Sequence, residues 1–425
     1  MEKTIFHIDV NSAYLSWSAA DRVYNQNQSL DLREVCSIVG GDQESRHGIV
    51  LAKSMPAKRY HIQTGEPIVS AVRKCPELIV VPPDYGLYVQ ASTAFINLLK
   101  RFCPVIEQYS IDEVWADVSG TASLYGTPVM FAEYLKQLIF NELGFTVNIG
   151  ISTNKLLAKM ASELKKPNMV HTCYPNEIKT KLWPLDVEEL FFVGRATKEK
   201  LYQLGIHTIG DLAMTDVKFM RSHLKKHGEI IHGFAWGNSL YLDELIAVQQ
   251  RENKGYGNSM TLPIDFSDGE QMEQAILSLC ETLGLRLRSD EVRIKCVAVS
   301  VTYYDFTRNS HQAQLYSESN VTEEIHTAAK KIFREMWDGR AVRQIGVHTS
   351  KVSHNTVRQY HIFDMDRYDR QEKLDTAVDQ IRSRYGKDAI KRACFINHSS
   401  LKHMSGGIAE EKITGITKPM KIDKG

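Results

Sequence analysis

The chain has 425 residues, and at ~150 residues per domain that length implies roughly three domains. Apolar residues make up 43% of it, enough to bury real cores, and the net charge of +1 means that any basic surface must be local. Seven scattered cysteines without a CxxC pair exclude a disulfide framework or a zinc ribbon and point to a reducing cytoplasmic setting. The N-terminus, MEKTIFHIDVN, meets an aspartate at position 9 and lacks the apolar stretch of a signal peptide. No apolar run approaches the ~18 residues of a membrane helix, so no membrane role is expected.

Residues 4–10 (TIFHIDV) predict a short buried strand ending at Asp9. A helix follows over 12–25, with Ala13, Trp17 and Ala20 on one face. Residues 35–39 and 48–53 read as two strands joined by the turn-rich GGDQESRH. An amphipathic helix is expected over 86–102, with Ala91, Phe95, Leu98 and Leu99 facing one way. Another helix spans 127–143, a strand spans 146–152, and NKLLAKMASELKK is a helix stopping at Pro167. LGIHTIGDLA carries a helix-turn-helix signal around Gly205 and Gly210. The polar segment 244–256 reads as a linker. A second unit then runs strand (257–264), helix (268–288), strand (292–304), strand (312–318), helix (322–337), strand (342–348). That βαββαβ order predicts a small α+β domain. One helix is expected at 370–384, and from Asn397 on the composition reads as disordered.

The stretch YSIDEVWAD at 109–117 sets Asp112 beside Glu113 at the start of a buried strand. Successive strand side chains point to opposite faces, so the two acids converge only at a strand end or bend. A buried carboxylate pair repels and is costly unless a cation joins it. Hard oxygen ligands suit Mg²⁺. With Asp9 at another strand end, three acids could hold two metals ~3.5–4 Å apart, the arrangement that clamps both oxygens of a phosphoryl transfer. The alternative is that Asp112 and Glu113 are ordinary turn residues.

HIDVNSAYLSW (7–17), YSIDEVWADVSG (109–120), NIGISTNKLLAKMASELKKPN (148–168) and LGIHTIGDLA (204–213) occur in that order. Together they resemble the Y-family, or translesion, DNA polymerases over roughly residues 1–363. The resemblance implies a multidomain α/β and α+β right hand: palm at 1–10 and 84–173, fingers at 11–83, a helix-hairpin-helix-like thumb at 174–243, a linker at 244–252, a βαββαβ little finger at 253–350 and a C-terminal tail at 351–425. It implies a template-directed, low-fidelity DNA polymerase of damage bypass without proofreading, acting as a cytoplasmic monomer on primer-template DNA and dNTPs. Asp9, Asp112 and Glu113, with the Val10 carbonyl, would hold two Mg²⁺. Tyr14 falls at the family's steric gate against ribose, and Lys58 and Lys166 fall at its triphosphate positions.

The chain departs from the family's pattern in places. Met55-Pro56-Ala57-Lys58 replaces the usual Tyr-x-x-Arg, which removes a planar guanidinium fork, with Arg59 as a substitute. Asn11 stands where many members carry Asp. Phe191-Phe192-Val193-Gly194 replaces the PGIG-like thumb turn, so that Gly194 alone keeps the permissive backbone for a phosphate contact. Local DNA grip is expected from Arg221, Lys225 and Lys226 in the thumb. In the little finger it is expected from Arg286, Arg288, Arg293, Lys295, Arg340 and Arg343, with Arg293 and Lys295 on one strand face. Gln359-Tyr360-His361-Ile362-Phe363 resembles the peptide by which bacterial polymerases hook the sliding clamp, with Gln359, Ile362 and Phe363 as anchors. Two rivals remain: a cyclase, from the GGDEF-like Gly40-Gly41-Asp42-Gln43-Glu44, and a polymerase-like fold that binds DNA or the clamp without chemistry.

Overall fold

The computed structural model describes residues 3–41, 48–239, 253–354, 365–396, 401 and 403–405. The described residues fall into two compact units, one before and one after the segment 240–252, with Gly48 grouped with the second.

The first unit is built on a five-stranded sheet. Its strands in chain order are β1 (Ile5–Val10), β2 (Ser37–Gly40), β3 (Val50–Lys53), β4 (Ile79–Val81), β5 (Val105–Gln108), β6 (Glu113–Asp117), β7 (Val147–Ser152) and β8 (Val170–Thr172). The main sheet runs β5-β6-β1-β7-β8, and β3-β2-β4 form a separate small sheet. Every residue of β1 is buried, as a central strand covered on both faces must be. Phe6, Ile8 and Val10 join Phe95 and Leu99 of the helix Tyr85–Lys100 and Phe131 and Leu135 of the helix Pro128–Leu143 in the largest core cluster. Ile5 clusters instead with Trp115 and with Ala158 of the helix Lys155–Glu163, and His7 meets Ser162 of that helix. The period-2 alternation of β1 thus gives odd positions to one face and even positions to the other.

The expected helices, strands and hairpin of this unit are present. The segment 12–25 forms the α-helix Ala13–Ala20 followed by a π-helical turn Asp21–Asn25. The helix in NKLLAKMASELKK ends earlier than expected, at Glu163. The helix-turn-helix around LGIHTIGDLA is formed by Arg195–Gln203 and Ile209–Met214, and Thr208 and Asp211 make a reciprocal capping box at the second helix.

The second unit pairs β9 (Gly255–Phe266), β10 (Arg293–Tyr303), β11 (Arg308–Ser319) and β12 (Val342–Ser353) in the order β11-β10-β12-β9, all antiparallel. The helices Gly269–Ser289 and Thr322–Met336 share its core, so the βαββαβ expectation holds. Two boundaries move. The linker reading of 244–256 ran too far, because Tyr256 is buried and donates its hydroxyl to Asp290 at 2.6 Å, so β9 begins at Gly255. The expected disorder beyond Asn397 does not hold throughout, since Leu401 and His403 are buried.

The helix Met365–Tyr385 docks on this unit through charge. Arg288 reaches Asp375 at 3.0 Å and Asp379 at 2.5 Å, Arg293 reaches Glu372 at 3.0 Å, and Arg382 reaches the buried Glu281 at 2.6 Å. Its apolar residues Leu374, Ile381 and Tyr385 stay exposed.

Candidate active site

One glycine sets the site's dimensions. A Cβ on Gly150 of β7 would lie 1.9 Å from the Ala158 carbonyl oxygen and 2.4 Å from the Ser162 nitrogen. Only glycine lets the helix Lys155–Glu163 lie this close to the sheet. Asn154 caps that helix by accepting from the Leu157 N–H at 2.9 Å. The close approach carries Lys159, Glu163 and the following Lys166 over the odd-numbered face of β1.

Asp9 and Glu113 are directly opposed across β1 and β6, so their side chains share a face. Carboxylate oxygens of Asp9, Glu113 and Glu163 lie within 4.8 Å of one another. Lys166 bridges two of them, with its Nζ 3.0 Å from Asp9 and 2.8 Å from Glu163. The Lys159 Nζ lies 2.9 Å from Glu113. Burial pushes the Asp9 carboxyl up to about 7; Lys166 opposes the shift while Glu163 and Glu113 add to it. Burial alone would lower the Lys166 pKa, but the Asp9 and Glu163 carboxylates raise it.

His7 lies beneath this group. The Ser162 hydroxyl donates to the Lys159 carbonyl at 2.7 Å, so the His7 Nδ1, 2.8 Å from that hydroxyl, is the donor of the pair. The His7 Nε2 has no hydrogen-bond partner and lies 3.9 Å from Glu113. Burial first, then Lys159 and Lys166, hold its pKa well below the usual histidine value, so the ring is neutral.

Asp112 sits in the bend before β6. Its backbone carbonyl accepts from the Val10 N–H at 3.0 Å, which locks the end of β1 to the bend. Its carboxylate accepts from the Ser110 hydroxyl at 2.6 Å. Burial and then the charge of Asp112 raise the Tyr14 phenol, and Asp112 is not among the carboxylates grouped with Asp9. The Tyr14 ring stacks on Tyr88 at 4.5 Å and meets Tyr85 edge-on, so its orientation is fixed from behind.

Asn11 explains its own departure. Its Nδ2 donates to Asn148 at 3.1 Å, and its Oδ1 accepts from Thr146 at 3.1 Å and from the Asn168 N–H at 2.8 Å. An aspartate could not make the first bond. The network ties the end of β1 to Asn168 and so places Lys166. Lys58 lies exposed in the short helix Met55–Arg59, outside the acid group.

The thumb turn also differs from expectation. Gly194 has an ordinary φ of −89° and caps the helix Arg195–Gln203 with open space about it. The left-handed residue is Phe192, at φ 76°. Arg221 pairs with Glu229 at 2.9 Å, and Lys225 is exposed at a kink with φ 57°. In the second unit Arg340 lies over the Tyr303 ring at 3.8 Å and Arg343 over Phe306 at 5.0 Å. Arg288 and Arg293 face the helix Met365–Tyr385 as described. A polar groove of about 520 Å³ on the sheet is lined by Ser300, Thr302, Arg308, Gln344 and His348, among others. The clamp-like peptide with Gln359, Ile362 and Phe363, and the Asp42–Glu44 part of the cyclase-like stretch, lie outside the described residues.

Sequence reasoning did not single out Glu163, Lys159 or His7. Lys159, Glu163 and Lys166 are spaced four and three apart, a helical-face signal, and His7 and Asp9 share strand parity. Those periodicities would have found them.

Residues 8–163 match the model of the impB/mucB/samB family, residues 253–362 match the model of that family's C-terminal domain, and residues 175–206 match the IMS family HHH motif. A protein of Clostridium acetobutylicum named DNA polymerase IV is 45% identical over 93% of this chain and 99% of its own. Another of that name, from Acetivibrio thermocellus, is 35% identical over 95% of this chain and all of its own. Among solved structures, a chimeric Y-family DNA polymerase matches with a TM-score of 0.69 at 22% identity, covering 83% of this chain and 100% of that one. At that identity the match speaks for the fold alone.

Proposed function

The chain belongs to the impB/mucB/samB family of Y-family DNA polymerases, and from that premise we propose that Asp9, Asp112 and Glu113 form the centre at which it extends a primer. It is a template-directed DNA polymerase of the translesion type, using primer-template DNA, dNTPs and a divalent metal. The observation carrying the site assignment is the Asp9–Glu113 cross-strand pair, with Glu163 inside the same 4.8 Å group and the Asp9 carboxyl pushed up to about 7.

The donor set fits the metal. Closely spaced carboxylate oxygens are hard ligands suited to Mg²⁺, and their mutual repulsion is what a divalent cation relieves. Asp9 and Glu113 would hold it from the sheet face, and Asp112 with the Val10 carbonyl would complete the ligands from the bend. When bound, two Mg²⁺ would make the primer 3′-hydroxyl a better nucleophile and neutralise the departing pyrophosphate.

The chain's own residues do the rest. In the step, the primer 3′-hydroxyl gives up its proton to water and its oxygen bonds to the α-phosphorus, the bond from that phosphorus to the oxygen bridging to the β-phosphate breaks, and pyrophosphate leaves. Lys166 exchanges its carboxylate partners for the triphosphate, with Lys58 as a second cation. The Tyr14 ring, backed by Tyr88, leaves no room for a 2′-hydroxyl. Gly194, Arg221, Lys225, Lys295, Arg340 and Arg343 follow the DNA backbone, and Arg293 joins them on leaving Glu372. The segment 359–363 hooks a sliding clamp, and the enzyme acts as a monomer.

Primer extension with Mg²⁺ and each dNTP, beside the double variant D112A/E113A, tests this. Extension by the wild type and none by a variant that still shifts primed DNA is expected. An inactive wild type that shifts primed DNA would overturn the assignment in favour of a binding module.

A further inference from the structure

The thumb turn holds the part of the sequence that the polymerase reading leaves without a purpose, Phe191-Phe192. Phe191 turns back toward the palm. Its N–H donates to the Met160 sulfur at 3.4 Å, on the helix that carries Lys159. Its ring meets Phe192 edge-on at 4.8 Å and Tyr109 edge-on at 6.1 Å. The Lys159 ammonium lies beside this pair of rings, 5.4 Å from the Phe191 centroid and 5.3 Å from that of Tyr109. Lys159 is 7% exposed, so the contacts are desolvated and the ring quadrupoles act on the cation with little screening. The same ammonium bonds to Glu113 at 2.9 Å.

We propose that Lys159 is a resident counter-cation of Glu113, held in place by the Phe191 ring, so that the thumb turn sets how tightly the palm carboxylates bind a divalent metal. The inference rests on the metal-site reading above. Both are positioning residues: Lys159 acts through Glu113, and Phe191 acts through Lys159. Two effects of Lys159 oppose each other. Its bond fixes the Glu113 rotamer, which favours a metal. Its charge sits beside the same carboxylate, which disfavours one. At this separation in a partly desolvated site, the repulsion between an ammonium and a divalent cation outweighs the rotamer freedom of one glutamate. Freeing Glu113 from Lys159 therefore tightens metal binding.

The test is Mn²⁺ binding to the full chain without DNA or dNTP, read by the electron paramagnetic resonance of free Mn²⁺, together with the Mn²⁺ activation constant for primer extension. K159M is expected to lower both constants at least three-fold. F191L keeps apolar packing but removes the aromatic face, so it is expected to shift them the same way, while F191W stays within two-fold of wild type. In the K159M background F191L is expected to add nothing, because the ring acts only through the ammonium. The inference is overturned if F191L matches wild type while K159M shifts, if F191L shifts the constants equally with and without Lys159, or if a folded K159M binds Mn²⁺ no more tightly. Asp9→Ala is the control for the metal-site reading itself: if it leaves Mn²⁺ binding unchanged, that reading fails, independently of Lys159.

Discussion

The raised carboxyl of Asp9 gives a quantitative prediction about stability rather than catalysis. Its pKa rises from 3.8 to about 7 on folding, chiefly through burial. Below pH 4 the carboxyl is protonated in both the folded and unfolded chain and contributes nothing. Between pH 4 and pH 7 the folded chain keeps a proton that the unfolded chain has lost, so stability falls as the pH rises. Above pH 7 the full penalty is present. A shift of roughly three units at ~1.4 kcal/mol each bounds the penalty near 4 kcal/mol. Asp9→Asn mimics the protonated form and removes it. In EDTA, the first unit of Asp9→Asn is expected to be more stable than wild type by on the order of 2–4 kcal/mol at pH 8, about 4–8 °C in Tm, with the advantage gone by pH 4. Mg²⁺ should narrow the gap at pH 8 by stabilising the wild type alone. Thermal melts by tryptophan fluorescence across that pH range measure this. An advantage of the same size at pH 4 and pH 8 would refute the argument, because it would then owe nothing to ionisation. Primer extension by Asp9→Asn should be lost throughout.

Two further outcomes follow from the same geometry. Tyr14→Ala opens the space in front of Tyr88, and discrimination between dNTPs and rNTPs in single-nucleotide extension should fall at least ten-fold while dNTP incorporation persists. Gly150→Ala drives a methyl into the Ala158 carbonyl; displacing the helix Lys155–Glu163 should cost roughly 3 kcal/mol or more by chemical denaturation and raise the Mg²⁺ requirement of whatever folds.

The central elements were legible because their periodicities are strong and their burial is apolar. β1, β6 and β7, the helices Tyr85–Lys100 and Pro128–Leu143, and the whole βαββαβ unit all bury alternating or helically spaced aliphatic and aromatic side chains. The docking of Met365–Tyr385 was not legible. That helix is held by Glu372, Asp375, Asp379 and Arg382, while Leu374, Ile381 and Tyr385 face outward. A hydrophobic pattern cannot announce an interface made of ion pairs, and the same pairs engage Arg288 and Arg293, which the resemblance to the polymerases had marked for DNA grip. The thumb turn was misleading for a related reason. The sequence rule gives a left-handed residue to glycine, whereas here Phe192 adopts it and Gly194 does not.

The adjacent acids show how far strand geometry alone reaches. Strand alternation separates neighbouring side chains, and Glu113 joins Asp9 and Glu163 while Asp112, in the bend before the strand, is not part of that group. The expectation of three acids converging at strand ends counted only carboxylates on the sheet. It could not see that a glycine in β7 brings a helix close enough to supply a fourth, together with two lysines that neutralise the group. Three of the four carboxylates then share one group and the fourth stands outside it. The Asp9 group, with its own ammonium partners, can persist folded without a metal. Asp112 stands apart from that group, its carboxylate accepting from the Ser110 hydroxyl at 2.6 Å and its charge raising the Tyr14 phenol.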